Sequence, residues 1–239
     1  MAAPSNRLCT GMAVLCAALL PVVASPAVAG LAEWQQLSDQ ASRHLQQGEL
    51  AQAEASARQA LAEAERSLGP QHRALDQSLV TLGLVLRVAQ RYPEAEKVLR
   101  QALALREKVL GPRDPATALV MNNLADVLQL QNKHDEAERW YLRTVAVFEK
   151  SYGDDRRTAV SLGNLGAVIS AQGRHAEAEP LLRRALAMKE KVLGANNPSV
   201  ALALTQLADT LQALGRKAEA EQLAARAAAM QKARAAAVK

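Results

Sequence analysis

Aromatic residues are scarce in this chain: two tryptophans, three tyrosines and one phenylalanine in 239 residues. That scarcity argues against a globule built around one large aromatic core. It also leaves no interleaved stacking platform for a nucleic acid. Cysteine is rarer still. Cys9 and Cys16 are the two present, and both lie near the start. Beyond them disulfides, thiol nucleophiles and cysteine-held metals are excluded. Phosphate-cradling glycine loops, G-x-S-x-G elbows, dinucleotide fingerprints and H-E-x-x-H pairs are all missing. Neither sign of charge dominates, since 29 Lys and Arg oppose 24 Asp and Glu for a net charge of +5. What remains is 49% hydrophobic and rich in alanine and leucine, a composition that suits helices packed through small side chains.

The first 29 residues stand apart. Arg7 precedes an apolar run from Leu8 to Leu20, Pro21 and Pro26 break it, and Ala27-Val28-Ala29 leads into Gly30. This is the layout of a cleavable secretory signal, with cleavage expected after Ala29. Neither cysteine has the leucine three residues earlier that a lipoprotein signal needs. The expectation is export to a bacterial periplasm or beyond, with residues 30–239 as the folded part. If the signal were kept, Leu8 to Ala29 would just span a bilayer and anchor the chain. The two prolines and the A-x-A site favour cleavage.

The rest of the chain repeats itself. Gly69, Gly111, Gly153 and Gly194 recur at intervals of 42, 42 and 41 residues. The triplets Glu94-Ala95-Glu96, Glu136-Ala137-Glu138, Glu177-Ala178-Glu179 and Glu219-Ala220-Glu221 keep the same step, with a weaker copy at Gln52-Ala53-Glu54. Within one unit, Leu162, Leu165, Gly166 and Ile169 fall at i, i+3, i+4, i+7, the stripe of an amphipathic helix. Ala178, Leu181, Leu182, Ala185 and Leu186 form a second stripe. Between them the spacing predicts turns at Gly48, Gln90, Asn132, Gly173 and Gly215. Small residues occupy a close-contact position on the first helix (Ala41, Gly83, Ala125, Gly166, Ala208) and on the second (Ala60, Ala102, Thr144, Ala185, Ala227). Asp114-Pro115 and Asn197-Pro198 read as helix caps followed by proline at the first helical position. Five units in phase predict an all-α array of five antiparallel helix pairs, at about 31–69, 72–111, 114–153, 155–194 and 198–237. The first pair is degenerate, with Gln40 and His44 where sister units have Leu82 and Leu86, as suits an end of the stack.

Leu162, Leu165, Gly166, Ile169, Ala178, Leu182 and Ala185 resemble the packing signature of the tetratricopeptide repeat. The longer unit, ending in KVLG and a capped proline, is similar to the kinesin-light-chain variety. The resemblance implies a right-handed superhelical solenoid that binds a protein or peptide and has no chemistry of its own. It also implies that the first helices line a concave groove. On each, a stripe at i, i+4, i+7 flanks the packed set: Val80, Leu84, Arg87; then Asn122, Asp126, Gln129; then Gly163, Ala167, Ser170; then Thr205, Asp209, Gln212.

The polar members are the binding candidates: Arg87, Asn122, Asp126, Gln129, Ser170, Thr205, Asp209 and Gln212. Asn122, Gln129 and Gln212 carry double-ended amides that suit an extended peptide backbone. Gly163 and Ala167 leave room for a bulky side chain. Asp126 and Asp209 oppose an anion, so the expected ligand is an internal segment, neutral or basic at those positions. Asn123 and Asn164 neighbour the stripe and are placed to bond within their repeat. The opposing reading is a structural subunit that works through its convex face or its ends. A third reading gives His134 and His175 a metal, each in an H-x-E-A-E sequence. Two ligands fall short of the usual three or four, and sister units hold Tyr92 and Lys217 there. No cofactor, nucleic acid or small-molecule substrate is implied. The basic residues of the second helices alternate with glutamates, as on a solvated outer face.

Overall fold

The computed structural model describes residues 26–70 and 72–237. Most of the expected export signal, residues 1–25, lies outside them, and the first helix begins at Pro26. Among the described residues there are ten helices and no strand. They are α1 (Pro26–Gln47), α2 (Leu50–Ser67), α3 (Arg73–Val88), α4 (Tyr92–Leu110), α5 (Pro115–Leu130), α6 (His134–Tyr152), α7 (Arg156–Ala171), α8 (His175–Leu193), α9 (Pro198–Ala213) and α10 (Lys217–Ala237).

Local chemistry sets the boundaries. Asp114, Asp155 and Asn197 accept hydrogen bonds from backbone N–H groups of the first turns of α5, α7 and α9. The predicted turns all carry positive φ: Gly48, Gly173 and Gly215, but also Gln90 and Asn132 at 60°. In each the next N–H reaches back to the preceding helix, as from Arg91 to the Leu86 carbonyl at 2.9 Å and from Lys133 to that of Leu128 at 2.9 Å. This is the Schellman closure, and it reverses the chain in a few residues.

Consecutive helices pack on one another, and each first helix also touches the first helix of the next pair. Among the described residues the backbones of successive second helices stand further apart, and only long side chains bridge them. The stack is therefore curved, with α1, α3, α5, α7 and α9 along its tighter inner side. Both sets of small contact residues are buried. A Cβ on Gly166 would lie 2.7 Å from Leu182 Cγ, and one on Gly83 would lie 2.7 Å from Leu99 Cγ. The helices of those two pairs approach as closely as backbone allows. At the first pair, buried Trp34 donates its Nε1–H to Ser78 Oγ at 2.8 Å and ties α1 to α3.

The outer side is joined by charge. The last glutamate of each of the first four triplets accepts from a cation one repeat later: Glu54 from Arg91 (2.7 Å), Glu96 from Lys133 (2.6 Å), Glu138 from Arg174 (2.8 Å) and Glu179 from Arg216 (2.6 Å). Basic residues of the second helices, read from the sequence as a merely solvated face, bridge repeats in this ladder as well: Arg100 to Glu136 at 2.5 Å and Arg183 to Glu219 at 3.0 Å. At Glu96, burial alone would raise the pKa. Hydrogen bonds from Lys133, Gln131 and Arg100 outweigh it and hold the carboxyl down at about 2.

Candidate functional site

On the inner side, Asn122, Asp126 and Gln129 gather around a residue of the partner helix. Tyr141 comes from α6, where sister units have Leu99 and Leu182. Its ring is buried, and its hydroxyl donates to Asp126 Oδ1 at 2.6 Å with Gln129 Oε1 at 3.1 Å. Asn164 of α7 donates to the same Asp126 oxygen at 3.1 Å, and Ser161 donates to Asn122 Oδ1 at 3.0 Å. Asn164 therefore bonds across repeats, not within its own, because successive first helices are neighbours on the inner side.

Burial is the largest influence on Asp126 and raises its pKa, against the Tyr141 hydroxyl, the Arg87 charge and Asn164. Burial, then the Asp126 charge, pushes the Tyr141 phenol upward. The Asp126 carboxyl is half-buried, and its Oδ1 accepts from both Tyr141 and Asn164. Arg87 lies near enough to act on it, yet its own Nε is buried without a hydrogen-bond partner.

The other candidates are spread along the inner side. Ser170 shares hydrogen bonds with Thr210 Oγ1 and His175 Nδ1, both at 3.0 Å. Thr205 is exposed and bonds back to the Ala201 carbonyl at 3.1 Å. Asp209 and Gln212 are exposed. The exposed polar end of the stripe is thus on α9, while its middle is knitted together by Tyr141. Stripe arithmetic on one helix cannot find Tyr141. The signal was a tyrosine at a register position that otherwise holds leucine.

A second residue crosses from its partner helix. Arg106, Phe148 and Lys189 share one register position on α4, α6 and α8. The Arg106 guanidinium pairs with Asp76 and donates to the Ala116 carbonyl at 2.8 Å. Phe148 lines an open cleft of about 430 Å³ with Leu119, Asn122, Arg157 and Ser161. Lys189 is 4% exposed, and its Nζ sits 3.2 Å from where a Cβ on Gly163 would be. The room opened by Gly163 is therefore shared with an ammonium group. Its pKa is lowered by burial.

His134 and His175 lie one repeat apart. His175 bonds to Ser170, and His134 Nδ1 is buried without a partner. Among the described residues no three His, Cys, Asp or Glu side chains are grouped to hold a metal ion. No described helix is long and apolar enough to cross a membrane.

Curved stacking of paired helices with a polar inner face defines a repeat solenoid of the interaction-scaffold class. The chain belongs to the tetratricopeptide repeat family: one model of that repeat matches residues 75–150 and 157–233, and a second matches 37–74. No curated protein matches the chain. Among solved structures, it is similar to BtubC (BKLC) from P. vanneervenii, at 23% identity and TM-score 0.75, over 86% of this chain and 82% of that one. It is likewise similar to a Podosopora anserina putative kinesin light chain with nearly identical TPR-like repeats, at 25% identity and TM-score 0.72, over 82% and 93%. Aspartyl phosphate phosphatase F from Bacillus subtilis shares the fold at 16% identity and TM-score 0.72, over 87% of this chain and 53% of that one. Proteins of this repeat family generally bind other proteins and are generally non-catalytic.

Proposed function

We propose that this protein is an exported, non-catalytic scaffold that holds a peptide or protein segment along its inner groove. The observation that carries the reading is the cluster of Asn122, Asp126, Tyr141 and Asn164. Polar groups packed between repeats cost stability unless every partner is placed, and an apolar junction would hold the stack as well. A prearranged polar floor is what an extended backbone needs, since its own N–H and C=O groups must be satisfied on docking. Exposed Asp209 and Gln212 continue that floor on α9.

A photo-crosslinking residue at Asp209, with Arg184 on the outer side as comparison, tests this in native cells. A partner captured from Asp209 and not from Arg184 is expected. Capture from Arg184 alone would move function to the convex side. Export is read by N-terminal sequencing of the protein from fractionated cells: a mature start at Gly30 is expected, and an intact Met1 would overturn cleavage.

One feature favours assembly through an end of the array. An open cleft of about 670 Å³ lies between α9 and α10, lined by Pro198, Leu202, Thr205, Met230 and Arg234. Leu202 is 57% exposed there. Capture from Leu202 in place of Asp209 would select that reading.

A further inference from the structure

We infer that Lys189 is an anion subsite of the groove, and that it takes the carboxylate of an acidic side chain on the docked segment. The inference rests on the groove reading and names one chemical feature of the partner.

The internal comparison carries it. Arg106, at the same register in the second repeat, is neutralised by Asp76 of α3. Two repeats on, the Asp76 position is Ala159. The cation is retained and its carboxylate is gone. Lys189 is almost wholly buried, and burial is the one influence on its pKa, with no charged neighbour acting on it. An ammonium removed from water without a counter-charge is costly, and the cost is recovered when a carboxylate arrives.

The surroundings fit such a guest. Nζ lies 3.2 Å from the Cβ position of Gly163 on α7, in the space that the missing side chain leaves, with Gln206 of α9 beside it. Gln206 Oε1 is buried without a partner and would stand 3.9 Å from the same Gly163 Cβ position. An amide turned end for end offers its N–H₂ at that place, so ammonium and amide can share one carboxylate. Arg156 and Arg157 line the neighbouring cleft with Ser161. These cations favour an acidic partner at long range.

The test is a random-peptide display selection on the purified protein and on two variants. Lys189→Met removes the cation and keeps the packing. Ala159→Asp restores the internal carboxylate seen at Asp76. Peptides selected on the unaltered protein should share an Asp or Glu at one position. The leading peptide should lose roughly 10- to 100-fold in affinity on Lys189→Met. Exchanging its acid for the amide should cost as much on the unaltered protein and nothing further on Lys189→Met. Ala159→Asp should erase the acidic preference while circular dichroism shows an intact helical fold. An acidic position that survives in both variants, or groove-bound peptides with none, overturns the subsite and leaves the groove reading standing. Failure to select any peptide, or peptides that bind equally well after Gln212→Arg and Asp209→Arg, overturns the groove reading and this inference with it.

Discussion

Replacing Gly166 with alanine sets two effects of opposite sign against each other. In an exposed helix the change stabilises by about 0.5–1 kcal/mol, because glycine loses more backbone freedom on folding. At Gly166 the added Cβ would lie 2.7 Å from Leu182 Cγ and 2.8 Å from its Cδ2, closer than carbon atoms pack. Leu182 is itself 1% exposed and has nowhere to retreat. Overpacking of this kind costs about 1–3 kcal/mol. The clash wins, and Gly166→Ala should lose roughly 1–2 kcal/mol. Urea unfolding followed by helical circular dichroism reads the change, with the slope checked for loss of a single transition.

The partner change sharpens the test. Leu182→Ala alone should cost about 2–5 kcal/mol through the cavity it leaves. In that background Gly166→Ala has nothing to strike, and it should stabilise by about 0.5–1 kcal/mol. The two changes are thus coupled by about 2 kcal/mol. The fifth pair already has this combination, Ala208 with Ala224 at the Leu182 register. If Gly166→Ala stabilises the unaltered protein, the claim that these helices meet at backbone contact is refuted.

Two further outcomes follow from the polar groups. Tyr141→Phe should cost about 1.5–3 kcal/mol, the range for a hydrogen bond to a charged group. It should also move the Asp126 titration upward, and an unmoved midpoint by carboxyl-carbon NMR would sink the assigned contact. Glu96 has its folded pKa held below the ordinary 4.5, at about 2. Its stabilisation is therefore complete above the unfolded value and is lost as pH falls through that window. Because Lys133 and Arg100 are 46% and 40% exposed, screening reduces the effect to about 1 kcal/mol. The stability gap between the unaltered protein and Glu96→Gln should narrow by that amount between about pH 6 and pH 2, and a constant gap would contradict it.

Much of the fold was legible because repetition multiplies weak signals. One Gln90 or Asn132 says little, but at the phase of Gly48, Gly173 and Gly215 it marks a left-handed turn, and all five have positive φ. The caps at Asp114 and Asn197 were legible because a cap is local. The inner side was legible only as a stripe. Tyr141 and Lys189 reach the inner side from second helices, so their role depends on how far a side chain crosses a junction. The charge ladder was missed for a related reason. Glu96 and Lys133 stand 37 residues apart, and no helical period joins them.

That ladder has a mechanical consequence. It ties the side of the stack on which neighbouring helices stand apart, using long arginine and lysine arms to bridge the wider gap. The inner side is held by close packing and by hydrogen bonds among buried or part-buried groups, which added salt loosens little, whereas exposed ion pairs weaken as the screening length shrinks. The array then behaves as a bent leaf spring whose outer fibres are electrolytic. Its bend is expected to change with ionic strength, which small-angle X-ray scattering across a salt series reads.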